Sequence, residues 1–324
     1  FIKDKKYSQI RNVLETLCYD IQVYQRKLGI RNLTPGEFSN YALCIQILHS
    51  ILHHKYVKKC GFYPNDLDIQ AFTIIYEDLQ TNFCIEKIPS NYQEIITQNF
   101  VKEGVFEELD KLELKIENNN RILEAFGVKM SKLIDIHDKN CLKIENNCFV
   151  TTSKRAKSIL EKLKNYGTHG KIKIEYMKRI YNNEKEQFVN EILNIDVTSI
   201  TKQNTRSKSN FQIACPVIDT LFYKNLAYHN DLSKKNFEYM EQKIKYYKTY
   251  EKQMLRVIDF VSKVDVCCNI AHISEKYGYY CPTIKKQGME SYVHIDGIRH
   301  PIIERICENE YVKNSIHLNT TQQG

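Results

Sequence analysis

Between Pro216 and Gly278 lie sixty-one residues that include neither Pro nor Gly. Nothing in such a run obliges a helix to stop. As one helix it would extend about 90 Å at roughly 1.5 Å per residue, longer than a small domain is wide. Its apolar residues keep a three-four alternation through Phe237, Met240, Ile244, Tyr247, Met254, Ile258, Val261 and Cys268, with Glu251 and Asp265 interrupting the stripe. Such a stripe packs on one partner. The lysines on the other faces, Lys234, Lys235, Lys243, Lys245, Lys248, Lys252 and Lys263, are expected in water. The run reads as an arm.

Residues 1 to 60 carry two helical patterns. Ile10, Val13, Leu14, Leu17, Ile21 and Tyr24 keep helical spacing as far as Gly29. Thr34-Pro35 with Glu37 then predicts a capped start for a helix through Phe38, Leu43, Ile47 and Leu48. A third helix is expected over Asp66 to Thr81. Phe100 to Phe126 reads as a second long amphipathic helix, with Phe106, Leu109, Leu112, Ile116, Leu123 and Phe126 on one face, an interruption at Asn118-Asn119-Asn120, and a stop at Gly127. Two long antiparallel helices separated in sequence by another segment imply an insertion at their far ends.

That segment is 128–217, where the period changes. Leu142 to Thr152 and Ser199 to Val217 read as short strands, with Asn146-Asn147 as a tight turn between strands. Helices are expected at Lys154 to Lys164 and near Glu184 to Ile195. Residues 139–213 hold fifteen Lys or Arg against seven Asp or Glu, an excess of eight that equals the net charge of the whole chain. A basic excess is common in proteins that bind no polyanion, but its confinement to one inserted module favours nucleic acid. Thr201 to Asn210 sets Lys202, Arg206 and Lys208 among short hydrogen-bonding side chains, a surface suited to phosphate oxygens. A solvated basic loop has the same composition. No recognition-helix or zinc-finger pattern accompanies it.

Beyond Gly278, Pro282 and the alternating stretches Val293 to Ile295 and Asp296 to Glu304 (DGIRHPIIE) indicate a new domain near residue 282. Arg299 and His300, before Pro301, read as turn-stabilising rather than catalytic. The eleven cysteines include no CxxC pair and point to a reducing compartment. His49, His53 and His54 have no carboxylate or thiol at ligand spacing and read as packing residues. No signal peptide, transmembrane run or lipidation motif is present, so a soluble intracellular protein is expected. The chain begins at Phe1 and stops at Gly324 after a segment that reads as a strand about to continue, and is therefore read as a fragment.

Several local motifs, in order, resemble the core, lever and clamp region of the MutS family of DNA mismatch-repair ATPases. Leu28 to Phe38 (LGIRNLTPGEF) resembles the family's Gly followed by a Pro-x-Glu helix start, and Gly104 to Leu112 (GVFEELDKL) its Gly-x-x-x-Glu-Leu-Asp-x-Leu helix. Phe149 to Thr152 with Lys154-Arg155 resembles the first clamp strand, and Lys202 to Pro216 the return strand. Val264-Asp265-Val266 to Ala271 resembles the end of the second lever. Gly297 to Glu304 is similar to the Gly-Arg-His-Pro-Val-Val-Glu motif that opens the ATPase domain. Cys281 stands where the family has Arg, and Lys313-Asn314-Ser315 where it has Pro-Asn-Asp.

The resemblance implies a mainly α fold: a helical core with two long antiparallel lever helices, an inserted small α+β clamp module, and the first strands of an α/β ATPase domain. The divisions expected are 1–127 (helical core and first lever helix), 128–217 (clamp-like basic insertion), 218–281 (second lever helix) and 282–324 (start of the ATPase domain). It implies clamps of a homodimer or heterodimer closing on double-stranded DNA, with phosphate contacts from Lys202, Arg206 and Lys208 and secondarily Lys154 and Arg155. Tyr311 matches the aromatic residue beside the adenine of ATP. ATP and Mg2+ are expected for an intact parent, a DNA-dependent ATPase; the fragment itself has neither the Gly-x-x-x-x-Gly-Lys-Ser/Thr string nor the magnesium-binding acidic strand, and is expected to need no cofactor. The alternative is a coiled-coil scaffold whose basic insert is incidental.

Overall fold

The computed structural model describes residues 7–17, 19–88, 98–134, 142–145, 148–165, 171–182, 185–197, 199–203, 210–284 and 292–319. It is mainly α, with small antiparallel sheets. The chain divides into two compact units, Phe1–His272 and Ile273–Gly324. Among the described residues, no helix is long and apolar enough to cross a membrane.

Helices α1 (Tyr7–Glu15), α2 (Ile21–Gly29), α3 (Pro35–Leu52) and α4 (Asp66–Asn82) build the first core. The single helix expected up to Gly29 is two. Thr16 turns its hydroxyl back to the Val13 carbonyl at 2.6 Å, and Asp20 Oδ1 accepts the Gln22 N–H at 3.0 Å, so local side chains end one helix and cap the next. The capping box at α3 forms as its spacing predicts: Thr34 Oγ1 accepts the Glu37 N–H and Glu37 Oε2 accepts the Thr34 N–H.

The second long helix, α5 (Glu107–Ile134), starts later than expected and runs through Gly127 without stopping. Gly127 has a helical backbone and is not a terminus; a Cβ there would meet the Phe149 ring at 3.5 Å, an ordinary contact. Helices α7 (Pro216–Lys248) and α8 (Glu251–Tyr277) replace the one continuous arm. The break is at Thr249-Tyr250: their N–H groups bond to Tyr246 and Tyr247 carbonyls three residues back, and the Thr249 hydroxyl takes the Tyr246 carbonyl at 2.7 Å.

The apolar stripe of the arm is real and is used internally. Met240, Ile244, Tyr247, Met254, Ile258 and Val261 are buried with α1 to α4 in the first core. Burying an apolar side chain of this size contributes about 1.5–3 kcal/mol. Polar ties fix the register. Tyr247 donates to Asp78 Oδ2 at 2.6 Å, and Arg256 clasps the buried Asp68 with its Nε 2.9 Å from both carboxylate oxygens. Lys243, expected in water, reaches Asp78 Oδ1 at 2.6 Å instead.

Helices α5 and α7 run antiparallel. Glu108 pairs with Lys235 at 2.8 Å near one end, and Asn119 donates to Asn225 at 2.8 Å further along. Beyond the asparagines, both helices enter a second core shared with the inserted module. That module contains β1 (Lys143–Glu145), β2 (Cys148–Thr152), α6 (Ser153–Asn165), β3 (Lys171–Asn182), β4 (Lys185–Asp196), β5 (Ser199–Gln203) and β6 (Asn210–Ala214). One sheet has the order β1-β2-β6-β5; β3 and β4 form a separate twelve-pair hairpin. The helix expected near Glu184 to Ile195 is therefore strand β4. Asn146-Asn147 lies outside the described residues. In the second unit, β7 (Val293–Ile298), a short α9 (Ile303–Ile306) and β8 (Asn314–Leu318) follow the end of α8, with β7 and β8 paired.

Candidate nucleic-acid interface

The module is held to the helix pair by one continuous apolar cluster. Phe126 and Met130 of α5, Phe149 of β2, Ile159 of α6, Ile195 of β4 and Phe222 of α7 are all buried in it. Phe149 packs on Phe126 and Phe222 with ring centroids 5.1 and 5.6 Å apart.

The asparagines that interrupt the α5 stripe are the polar seam of this seat. Asn118 Nδ2 donates to the Arg179 carbonyl at 2.9 Å, and Asn118 Oδ1 accepts the Arg179 N–H at 2.8 Å. Asn225 lies between Asn119 and Asn120, accepting from one and donating to the other, each at 2.8 Å. The Arg179 side chain spreads over Glu117 (2.8 Å), Glu186 (2.9 Å) and Glu103 (3.2 Å). Hydrogen bonding to Glu117 raises the Arg179 pKa further above its ordinary range. Burial alone would raise the Glu117 carboxyl, but Arg121 and Arg179 hold it below its usual value. Part of the module's positive charge is therefore neutralised internally, and Lys178 adds to this by pairing with Glu191 at 2.9 Å.

The residues expected to meet phosphate fall at one end of the four-stranded sheet as far as their backbones are described. Thr152, the last residue of β2, pairs with Asn210, and Lys154 and Arg155 follow at once in the first turn of α6. Lys202 pairs with Phe211, and Gln203 with the same Asn210. Arg155 is half-buried and already engaged by other groups. Arg206 and Lys208 lie outside the described residues, in the connection that leaves β5 and enters β6.

A second basic surface escaped the sequence reading. An open cleft of about 670 Å³ between α5 and the β3–β4 hairpin is lined by Arg121, Lys129, Lys132 and Lys173, against Glu124 and Glu175. Lys129, Lys132 and Lys173 are exposed and form no ion pair among the described residues. Lys129 and Lys132 are three apart on one helix face, a spacing that would have revealed them had α5 not been expected to end at Gly127.

In the second unit, the Arg-His-Pro motif is structural, as its turn-stabilising reading expects. Arg299 Nη2 donates to the Tyr277 and Gly278 carbonyls at 2.9 Å each, satisfying groups left open at the end of α8. His300 Nδ1 accepts the Ile302 and Ile303 N–H groups. The Tyr311 hydroxyl accepts the His300 N–H at 3.0 Å and so belongs to the same turn. No Gly-x-x-x-x-Gly-Lys-Ser/Thr string occurs in the sequence.

Comparison with known proteins gives two informative relatives. Over 336 aligned positions, covering 98% of this chain and 28% of the relative, the chain is 26% identical to a DNA mismatch repair protein mutS homologue of Acanthamoeba polyphaga mimivirus. It is 32% identical over 71 residues to DNA mismatch repair protein MutS of Protochlamydia amoebophila, covering 22% of this chain and 8% of that protein. The chain spans well under half the length of either curated relative. No protein-family model matches it.

Proposed function

We propose, for a chain related to the MutS family along nearly its whole length, that it forms the lever and clamp of a mismatch-repair protein and grips duplex DNA by its backbone. The observation that carries this reading is the basic module seated at the shared end of two antiparallel helices, α5 and α7, whose other halves are locked into the helical core. A tip rigidly joined to long helices can pass a change in grip along them, which is the physical element that coupling between distant sites requires. Lys202, Arg206 and Lys208 are the principal phosphate contacts, Lys154 and Arg155 the secondary ones, and two such chains, alike or unlike, close on one duplex. ATP and Mg2+ act in an ATPase domain of the parent, with Tyr311 at its border.

The coiled-coil scaffold alternative needs an apolar stripe available to another chain. Met240, Ile244, Tyr247, Met254 and Ile258 are already buried against this chain's own helices, which counts against it.

The test is duplex binding by the chain and by its Lys202→Gln/Arg206→Gln/Lys208→Gln variant, on matched and mismatched DNA. Loss of phosphate contacts weakens binding about equally on every sequence. A variant that binds as the unmodified chain does removes the module from the interface.

A further inference from the structure

Strands β7 and β8 alternate between two faces. Cross-strand register puts Val293, Ile295, Ile316 and Leu318 on one face and His294, Asp296 and His317 on the other. His294 stands directly opposite His317, and Asp296 follows two residues after His294. Gly297, at φ +65°, then bulges the strand. The polar face closes into a small cluster. The Nδ1 atoms of the two histidines are 2.6 Å apart, while Asp296 Oδ2 lies 3.5 Å from His294 Nε2 and Asp296 Oδ1 lies 3.2 Å from His317 Nε2.

The polar face of the hairpin thus gathers two imidazoles and one carboxylate within reach of one another. Two imidazole nitrogens and one carboxylate are the donor set of a first-row divalent ion with an open position, zinc above all. The 3.2 Å between His317 Nε2 and Asp296 Oδ1 is close to the roughly 3.3 Å between neighbouring donors on a tetrahedral zinc with bonds of about 2.0–2.1 Å. One ligand atom from each residue can be chosen so that all three lie within 4.8 Å of one another.

We propose that His294, Asp296 and His317 form a divalent transition-metal site that takes Zn2+ through both Nε2 atoms and the carboxylate, with water at the fourth position, and staples β7 to β8. Binding at Nε2 places a hydrogen on each Nδ1, so the Nδ1 pair separates; the histidine side chains, 64% and 46% exposed, have room to turn. The site is independent of the DNA-gripping module and needs none of its residues.

Zinc sulfate titrated calorimetrically into the full chain tests this, beside a His294→Asn/His317→Asn variant and a His49→Asn/His53→Asn control that retains the cluster. Cysteines bind zinc too, so the difference in stoichiometry is what decides. The chain and the control are expected to bind one more equivalent than the cluster variant, and their thermal midpoints to gain correspondingly more from zinc. Equal stoichiometry in the chain and the cluster variant overturns the proposal.

Discussion

Asn118 on α5 exchanges two hydrogen bonds with the backbone of Arg179 on β3, at 2.8 and 2.9 Å. A side-chain amide thus completes the outer edge of a hairpin that has no third strand among the described residues, and the hairpin's position is fixed to the long helix at that residue. Asn118→Ala leaves both Arg179 backbone groups without these partners. With net hydrogen-bond contributions of about 0.5–1.5 kcal/mol each, the Arg179 amide should exchange with solvent roughly tenfold faster or more. Hydrogen exchange followed by mass spectrometry should show the change in β3 and β4 and none in α3 or α4. Unchanged protection of β3 would mean that apolar packing alone seats the hairpin.

Gly127 offers an opposite case. It costs α5 about 1 kcal/mol relative to alanine in a helix interior. An alanine Cβ would meet the Phe149 ring at 3.5 and 3.8 Å, ordinary van der Waals contact. Gly127→Ala is therefore expected to raise the urea midpoint of unfolding, by up to about 1 kcal/mol in stability. Gly127→Leu would drive extra atoms into the same ring and should lower it by roughly 1–3 kcal/mol.

His49 makes stability depend on pH. Burial is the larger cause that lowers its pKa below the ordinary 6.5, helped by neighbouring His53 and Lys58 and opposed by Glu77. Its ring stacks on Tyr76 with centroids 3.8 Å apart. Because the folded pKa is below the unfolded one, the unfolded chain binds more protons between the two values. The contribution is complete above pH 6.5 and is lost as the pH falls toward the folded value. Urea midpoints should be lower at pH 5.5 than at pH 7.5, and His49→Gln should narrow the gap.

The long helices were legible because helical spacing persists over many turns, and the start of α3 because Thr34 and Glu37 stand three apart. What the one-dimensional pattern concealed was decided by contacts between distant segments. Phe188, Ile192 and Ile195 keep helical spacing, yet they lie in β4, where Ile195 is buried while Phe188 and Ile192 are exposed. The pairing with β3 supplies the missing reason. Gly127 carries the same letter whether it ends a helix or lies within one. Lys243 has nothing in its own helix to announce Asp78, which is 165 residues away in sequence. Of the basic surfaces, the charge confinement and the Lys202 segment were readable directly; the Lys129 and Lys132 rim needed the true end of α5.

The most direct test of the DNA-gripping account is the salt dependence of duplex binding by this chain. If five phosphates are neutralised by Lys202, Arg206, Lys208, Lys154 and Arg155, the logarithm of the association constant should fall against the logarithm of salt concentration with a slope of roughly −4 to −5. Neutralising Lys202, Arg206 and Lys208 together should reduce that slope by about 3. A response that stays flat between low and physiological salt would contradict the account.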